Sequence, residues 1–82
     1  MDIKVGSVVR AKAGRDKGGY FIVTDISSDG RVGICDGKRR KVAHPKYKNV
    51  IHLEATSTVA QDFTTNRKIK SYLRSFLEGR NV

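Results

Sequence analysis

The sequence predicts an all-β domain, five short strands in a small barrel or sandwich, followed by one C-terminal α-helix. Three observations predict it. Runs of β-branched and aromatic residues alternate with glycine-containing turns. The stretch 8–26, VVRAKAGRDKGGYFIVTDI, reads as strand, basic glycine-bracketed loop and strand. Near the C-terminal end the apolar spacing changes from period 2 to that of a helix. Eighty-two residues allow one domain with a small core, and with no Trp the three Phe and three Tyr supply its large apolar groups.

The elements follow in order. Residues 2–6 form a lead-in, with the spacing of a short edge strand. In 8–12, Val9 and Ala11 alternate with Arg10 and Lys12, the pattern of a half-buried strand. Residues 13–19 hold three glycines and no large apolar side chain, so the backbone can take positive φ angles and approach a partner. The second strand, from Tyr20 to Asp25 or Ile26, is apolar on both faces, and periodicity does not say which faces the core. Asp29-Gly30 marks a tight turn. A third strand over 31–35 is bent or bulged at Gly33. Asp36-Gly37 marks a second turn, and a fourth strand runs from about Arg39 to Val42 or Ala43 until His44-Pro45 breaks it. The fifth strand covers 49–53, with Ile51 and Leu53 as its core candidates. Closure into a barrel removes the exposed edges that invite aggregation.

The segment 54–63, EATSTVAQDF, is polar and rich in small residues and reads as a linker. Beyond it Ile69, Tyr72, Leu73, Phe76 and Leu77 fall on one helical face. Thr64 or Thr65 suits the N-cap and Gly79 the C-terminal stop of a helix over 66–78, about 20 Å long. The expected organisation is a barrel over 1–55, a linker over 56–63, and a basic amphipathic helix over 64–82 packed on or beside the barrel.

The central loop resembles the KOW motif of ribosomal proteins and transcription elongation factors. Gly6 matches the glycine that opens the motif, and Val9 and Ala11 its inward apolar positions. Gly14, Asp16, Lys17 and Gly18 match the loop's G-x-D-K-G core, and Val23 and Ile26 the apolar positions of its second strand. The likeness departs at Phe21, where many members carry a second glycine. VGICDG over 32–37, then Arg40, Lys41 and Val42, is similar to the third strand, turn and basic hairpin of the archaeal and eukaryotic large-subunit ribosomal protein fourteen type. The resemblance covers residues 4–55. It implies an SH3-like five-stranded barrel of KOW type that binds RNA, without saying which RNA.

Charge points to the same class of partner. Seventeen Lys and Arg face eight Asp and Glu, a formal net charge of +9, which favours a polyanion through counterion release. An anionic membrane surface is the lesser option. The cations cluster. Arg15 and Lys17 sit in the first loop, with Arg10 and Lys12 before them. Lys38, Arg39, Arg40, Lys41, Lys46 and Lys48 fall within eleven residues that hold no acid. On a strand, Arg39 and Lys41 take the face opposite Arg40 and Val42. Tyr47, between two lysines, either stacks on a base or packs over the barrel mouth. These residues are the candidate RNA contacts, to phosphates of structured RNA.

Little supports catalysis. His44 and His52 lie in different elements, and no Ser or Cys has a base that spacing identifies. The acids show no paired-carboxylate or metal-ligand pattern, and the glycine loop lacks the Lys-Ser/Thr of a nucleotide loop. Neither cofactor nor metal is expected. Cys35, the one cysteine, lies in an apolar run and reads as a small buried hydrophobe. No apolar run approaches a membrane span and the N-terminus lacks a signal-like segment, so the expected location is cytoplasmic. The expectation is a non-catalytic, ribosome- or translation-associated RNA-binding protein. The alternative is an adaptor that binds a protein partner through Ile69, Tyr72, Leu73 and Phe76 of the helix.

Overall fold

A computed structural model of the chain describes residues 3–80. The lead-in position at residue 2 and the last two positions of the 64–82 segment lie outside the described residues. Five antiparallel strands, β1 (Ser7–Ala11), β2 (Tyr20–Ile26), β3 (Val32–Cys35), β4 (Lys46–Lys48) and β5 (Leu53–Val59), form one sheet in the order β4-β3-β2-β1-β5. The helix α1 (Asn66–Arg80) follows.

The ambiguity of the second strand resolves because both of its faces are core. Phe21 and Val23 join Val9, Ala11, Val32, Ile34 and Leu53 in the concavity of the curled sheet. Ile22 and Tyr20 point the other way and join Val8, Cys35 and Ala60 beneath α1, which supplies Ile69 and Leu73. Cross-strand register explains the sorting, since directly opposed residues share a face. Val9 opposes Phe21 and Val23 opposes Ile34 on one side, while Val8 opposes Ile22 and Ile22 opposes Cys35 on the other. The bulge expected near Gly33 is there, but the extra residue is Thr24 on β2, between Val23 and Asp25. Ile26, an apolar match of the motif, is 43% exposed beyond that bulge.

The second half of the sheet differs from the expectation. No strand forms over 39–43. Asp36 accepts the backbone N–H groups of Lys38 and Arg40 through Oδ1, at 2.9 Å each, and Gly37 takes φ +81°, so the chain turns out of the ladder. The fourth strand is instead Lys46–Lys48, which begins directly after Pro45, where the missing N–H costs no ladder bond. The 49–53 segment is a 3₁₀ turn, Val50–His52, capped by the Asn49 side chain, and Ile51 is 67% exposed rather than core. The linker is also corrected. Residues 53–59 are β5, the strand paired with β1, and its Thr and Val residues suit an edge strand.

The sheet curls but does not close. β4 and β5 are its two edges, and the 3₁₀ turn carries the chain from one to the other in place of a hydrogen-bonded seam. α1 is docked, its apolar stripe lying on the sheet. The radius of gyration, 11.4 Å, is close to the ~12 Å of a packed chain of this length. Thr65 caps α1, its Oγ1 accepting the Lys68 N–H at 3.1 Å, while Gly79 lies within the helix rather than ending it. No described helix is long and apolar enough to cross a membrane.

Candidate functional site

The site is built on Asp16. In the loop between β1 and β2, Gly14 and Gly18 take φ +79° and +89°, the left-handed region that favours glycine. Gly18 N–H donates to the Ala11 carbonyl at 2.8 Å and Gly19 N–H to that of Asp16 at 2.9 Å, so the loop is tightly wound. This winding turns the Asp16 side chain inward until only 2% of it is exposed. Arg40 meets it from the loop after β3, Nη2 to Oδ2 at 3.0 Å and Nε to Oδ1 at 3.4 Å. Lys48 reaches it from β4 at 3.7 Å, and also donates to the Ala13 carbonyl at 3.1 Å. Burial alone would raise the Asp16 carboxyl. The hydrogen bond and charge of Arg40, with Lys48 and Arg39, outweigh burial and hold it below its ordinary range.

This latch joins the two basic loops at one end of the sheet. Arg15 and Lys17 flank the buried acid and are exposed, as is Lys12 at the loop's start. Arg39 and Lys41 flank the half-buried Arg40 and are exposed, as is Lys38. Arg39 and Lys41 thus face outward and Arg40 and Val42 inward, although the alternation comes from the turn rather than from a strand. Lys46 is exposed on β4.

Three candidates have other engagements. Arg10 opposes Glu54 across β1 and β5 and pairs with it at 3.6 Å. Lys48 is drawn into the latch, with 11% of its side chain exposed. Tyr47 lies across Gly33, where a Cβ would stand 3.1 Å from its ring, and its hydroxyl donates to Asp25 Oδ2 at 2.5 Å. That bond to a carboxylate pushes the Tyr47 phenol up, and the residue is 38% exposed.

In the sequence Asp16 stands out only as a match to the G-x-D-K-G core of the glycine loop, with no sign of burial. Its signal was its position, a single acid between Arg15 and Lys17 in a run of cations. The cations of α1 also adjoin this region, through Lys38. The helix stripe proposed for a protein partner is occupied by the sheet, with Ile69 fully buried and Leu73 6% exposed. His44 and His52 are both exposed and lie in separate turns. Cys35 is buried against Thr24, 3.4 Å from its hydroxyl, and burial pushes the thiol up. No group of His, Cys, Asp and Glu among the described residues could hold a metal ion.

No protein-family model and no curated protein matches the sequence.

Proposed function

We propose that this protein is a non-catalytic RNA-binding domain of SH3-like, KOW type. It holds the phosphates of structured RNA in a ribosome- or translation-associated setting. The observation that carries the reading is the Asp16 latch, which fixes two loops so that Lys12, Arg15, Lys17, Lys38, Arg39 and Lys41 surround one end of the sheet, all exposed. Gathering like charge this way costs self-repulsion that a polyanion offsets. Phosphate contacts from two rigidly related loops recognise shape and groove spacing more than sequence. The resemblance of the first loop to the KOW motif supports the same reading.

The test is affinity for structured RNA, single-stranded RNA and duplex DNA across a salt series. Neutralising about five phosphates gives a log–log slope of roughly −3.5 to −4.5. Arg15→Gln, Lys17→Gln, Arg39→Gln and Lys41→Gln alter exposed side chains, so the fold stays intact, and each flattens the slope by about 0.7 to 0.9. Arg40 is left in place because it holds Asp16. A fourfold variant that binds structured RNA as tightly as the wild type would sink the proposal.

A further inference from the structure

The structure divides the cations of α1. Lys68 pairs with Asp62 at 2.9 Å. Arg67, Lys70 and Arg74 instead border a groove of about 680 Å³ between α1 and the loop after β3, with Lys38 on its far side. This volume lies within the ~300–1,000 Å³ of small-ligand clefts. Tyr20, Leu73 and Leu77 supply its apolar floor.

Two contacts fix the loop against the helix. Val42 N–H donates to Asn66 Oδ1 at 2.8 Å. Gly37 lies so close that a Cβ there would collide with the Asn66 carbonyl oxygen and stand 2.7 Å from Lys70 Cγ. Lys38 is therefore held opposite the first turns of α1. The acids at the groove, Asp36 and Glu78, are already engaged. Asp36 accepts the Lys38 and Arg40 backbone N–H groups, and Glu78 pairs with Arg74 at 3.5 Å. Among the described residues, Lys38, Arg67 and Lys70 have no acidic partner.

A cationic rim over an apolar floor has the chemistry of a nucleotide site, because the rim suits phosphate and the floor suits the face of a base. A base within a duplex is stacked and cannot reach such a floor. We infer that this groove takes an unpaired nucleotide of the bound RNA, its phosphate on Lys38, Arg67 and Lys70 and its base over the exposed Leu77. The inference rests on the RNA-binding reading above. Continuity of the surface supports it, since Lys38 adjoins Arg39 and one loop leads from the latched end of the sheet into the groove.

The test compares a blunt RNA duplex with the same duplex carrying a three-nucleotide single-stranded extension, by fluorescence anisotropy. Wild type binds the extended RNA at least about fivefold more tightly, the lower bound for one stacked base. Arg67→Gln with Lys70→Gln, and separately Leu77→Ser, abolish that preference and leave blunt-duplex affinity within about twofold. The double variant also flattens the salt slope for extended RNA by about 0.7 per cation removed. Melting curves confirm that each variant is folded. If wild type binds the duplex but gains nothing from the extension, or if the variants keep the preference, the groove assignment fails and the RNA-binding reading stands. If wild type binds neither RNA, the RNA-binding reading fails and the groove assignment falls with it.

Discussion

Asp16 shows how one acid can serve a cationic surface. Its carboxylate is buried, accepts two hydrogen bonds from Arg40 and pairs with Lys48, so removing its charge leaves Arg40 half-buried without its counterion. Breaking a fully buried pair costs about 3–5 kcal/mol. Arg40 keeps a quarter of its side chain in solvent, so Asp16→Asn is expected to cost about 2 kcal/mol. The pH dependence follows from the direction of the shift. The unfolded carboxyl titrates near 3.8 and the folded one lower, so the contribution is complete above the unfolded value and is lost as pH falls through the folded one. The gap in melting temperature between wild type and Asp16→Asn therefore stays constant from about pH 7 to 5 and closes below about pH 4. A gap unchanged at about pH 2 would contradict this. The same variant separates two accounts of RNA affinity. It adds a unit of positive charge, so unstructured attraction predicts tighter binding, whereas a latch that pre-organises two loops predicts weaker binding. Weaker binding is expected.

Among the elements, α1 is anchored by Ile69, one of three fully buried isoleucines among the described residues, beside Ile22 and Ile34. Ile69 is fully buried between the helix and Val8, Ile22 and Cys35. Ile69→Ala is expected to cost about 2–5 kcal/mol, read as a shift in denaturant midpoint at constant slope. A cost below about 1 kcal/mol would mean that α1 is not part of the cooperative unit. The helix was legible in the sequence because five apolar residues recur at helical spacing, of which Ile69 and Leu73 are buried on the sheet while Leu77 stays exposed. β1, the glycine loop and β2 were legible for a similar reason, since β-branched runs bracket a segment that contains no large apolar group. β4 and β5 were not. Lys46, Tyr47 and Lys48 look like a charge cluster, and only the pairing with Val32, Gly33 and Ile34 makes them a strand. In β5 the inward residues after Leu53 are small, so hydrophobic periodicity is faint. Its real signal was the β-branched Thr56, Thr58 and Val59, which an edge strand with one polar face tolerates. The candidate site was legible as two basic clusters. Their connection was not, because Asp16 and Arg40 are separated by 24 residues and meet only in three dimensions.

At the scale of the whole molecule, the RNA-binding proposal predicts that stability and binding respond to salt with opposite sign. A formal charge of +9 on 82 residues, with cations grouped in two adjoining loops, destabilises the compact state by self-repulsion. The exposed charges repel over distances that the Debye length, about 30 Å at 0.01 M and 8 Å at 0.15 M, brings under screening. The Asp16 latch is attractive but buried, and salt weakens it much less. Raising potassium chloride across that range is therefore expected to raise the melting temperature of the free protein by a few degrees, about 1 kcal/mol or less of stability. Under the RNA-binding proposal, RNA is expected to reverse the trend. A ligand that binds only the folded state stabilises it in proportion to the logarithm of its concentration over Kd, and Kd for a polyanion rises steeply with salt. With structured RNA in excess the melting temperature is expected to be highest at low salt and to converge on that of the free protein as salt increases. Arg15→Gln with Arg39→Gln relieves repulsion and weakens binding together, which flattens both curves. A free protein whose melting temperature falls with potassium chloride would place the balance of charge in attractive surface pairs such as Arg10–Glu54 and Lys68–Asp62, and the clustered loops would then need no polyanion to offset them.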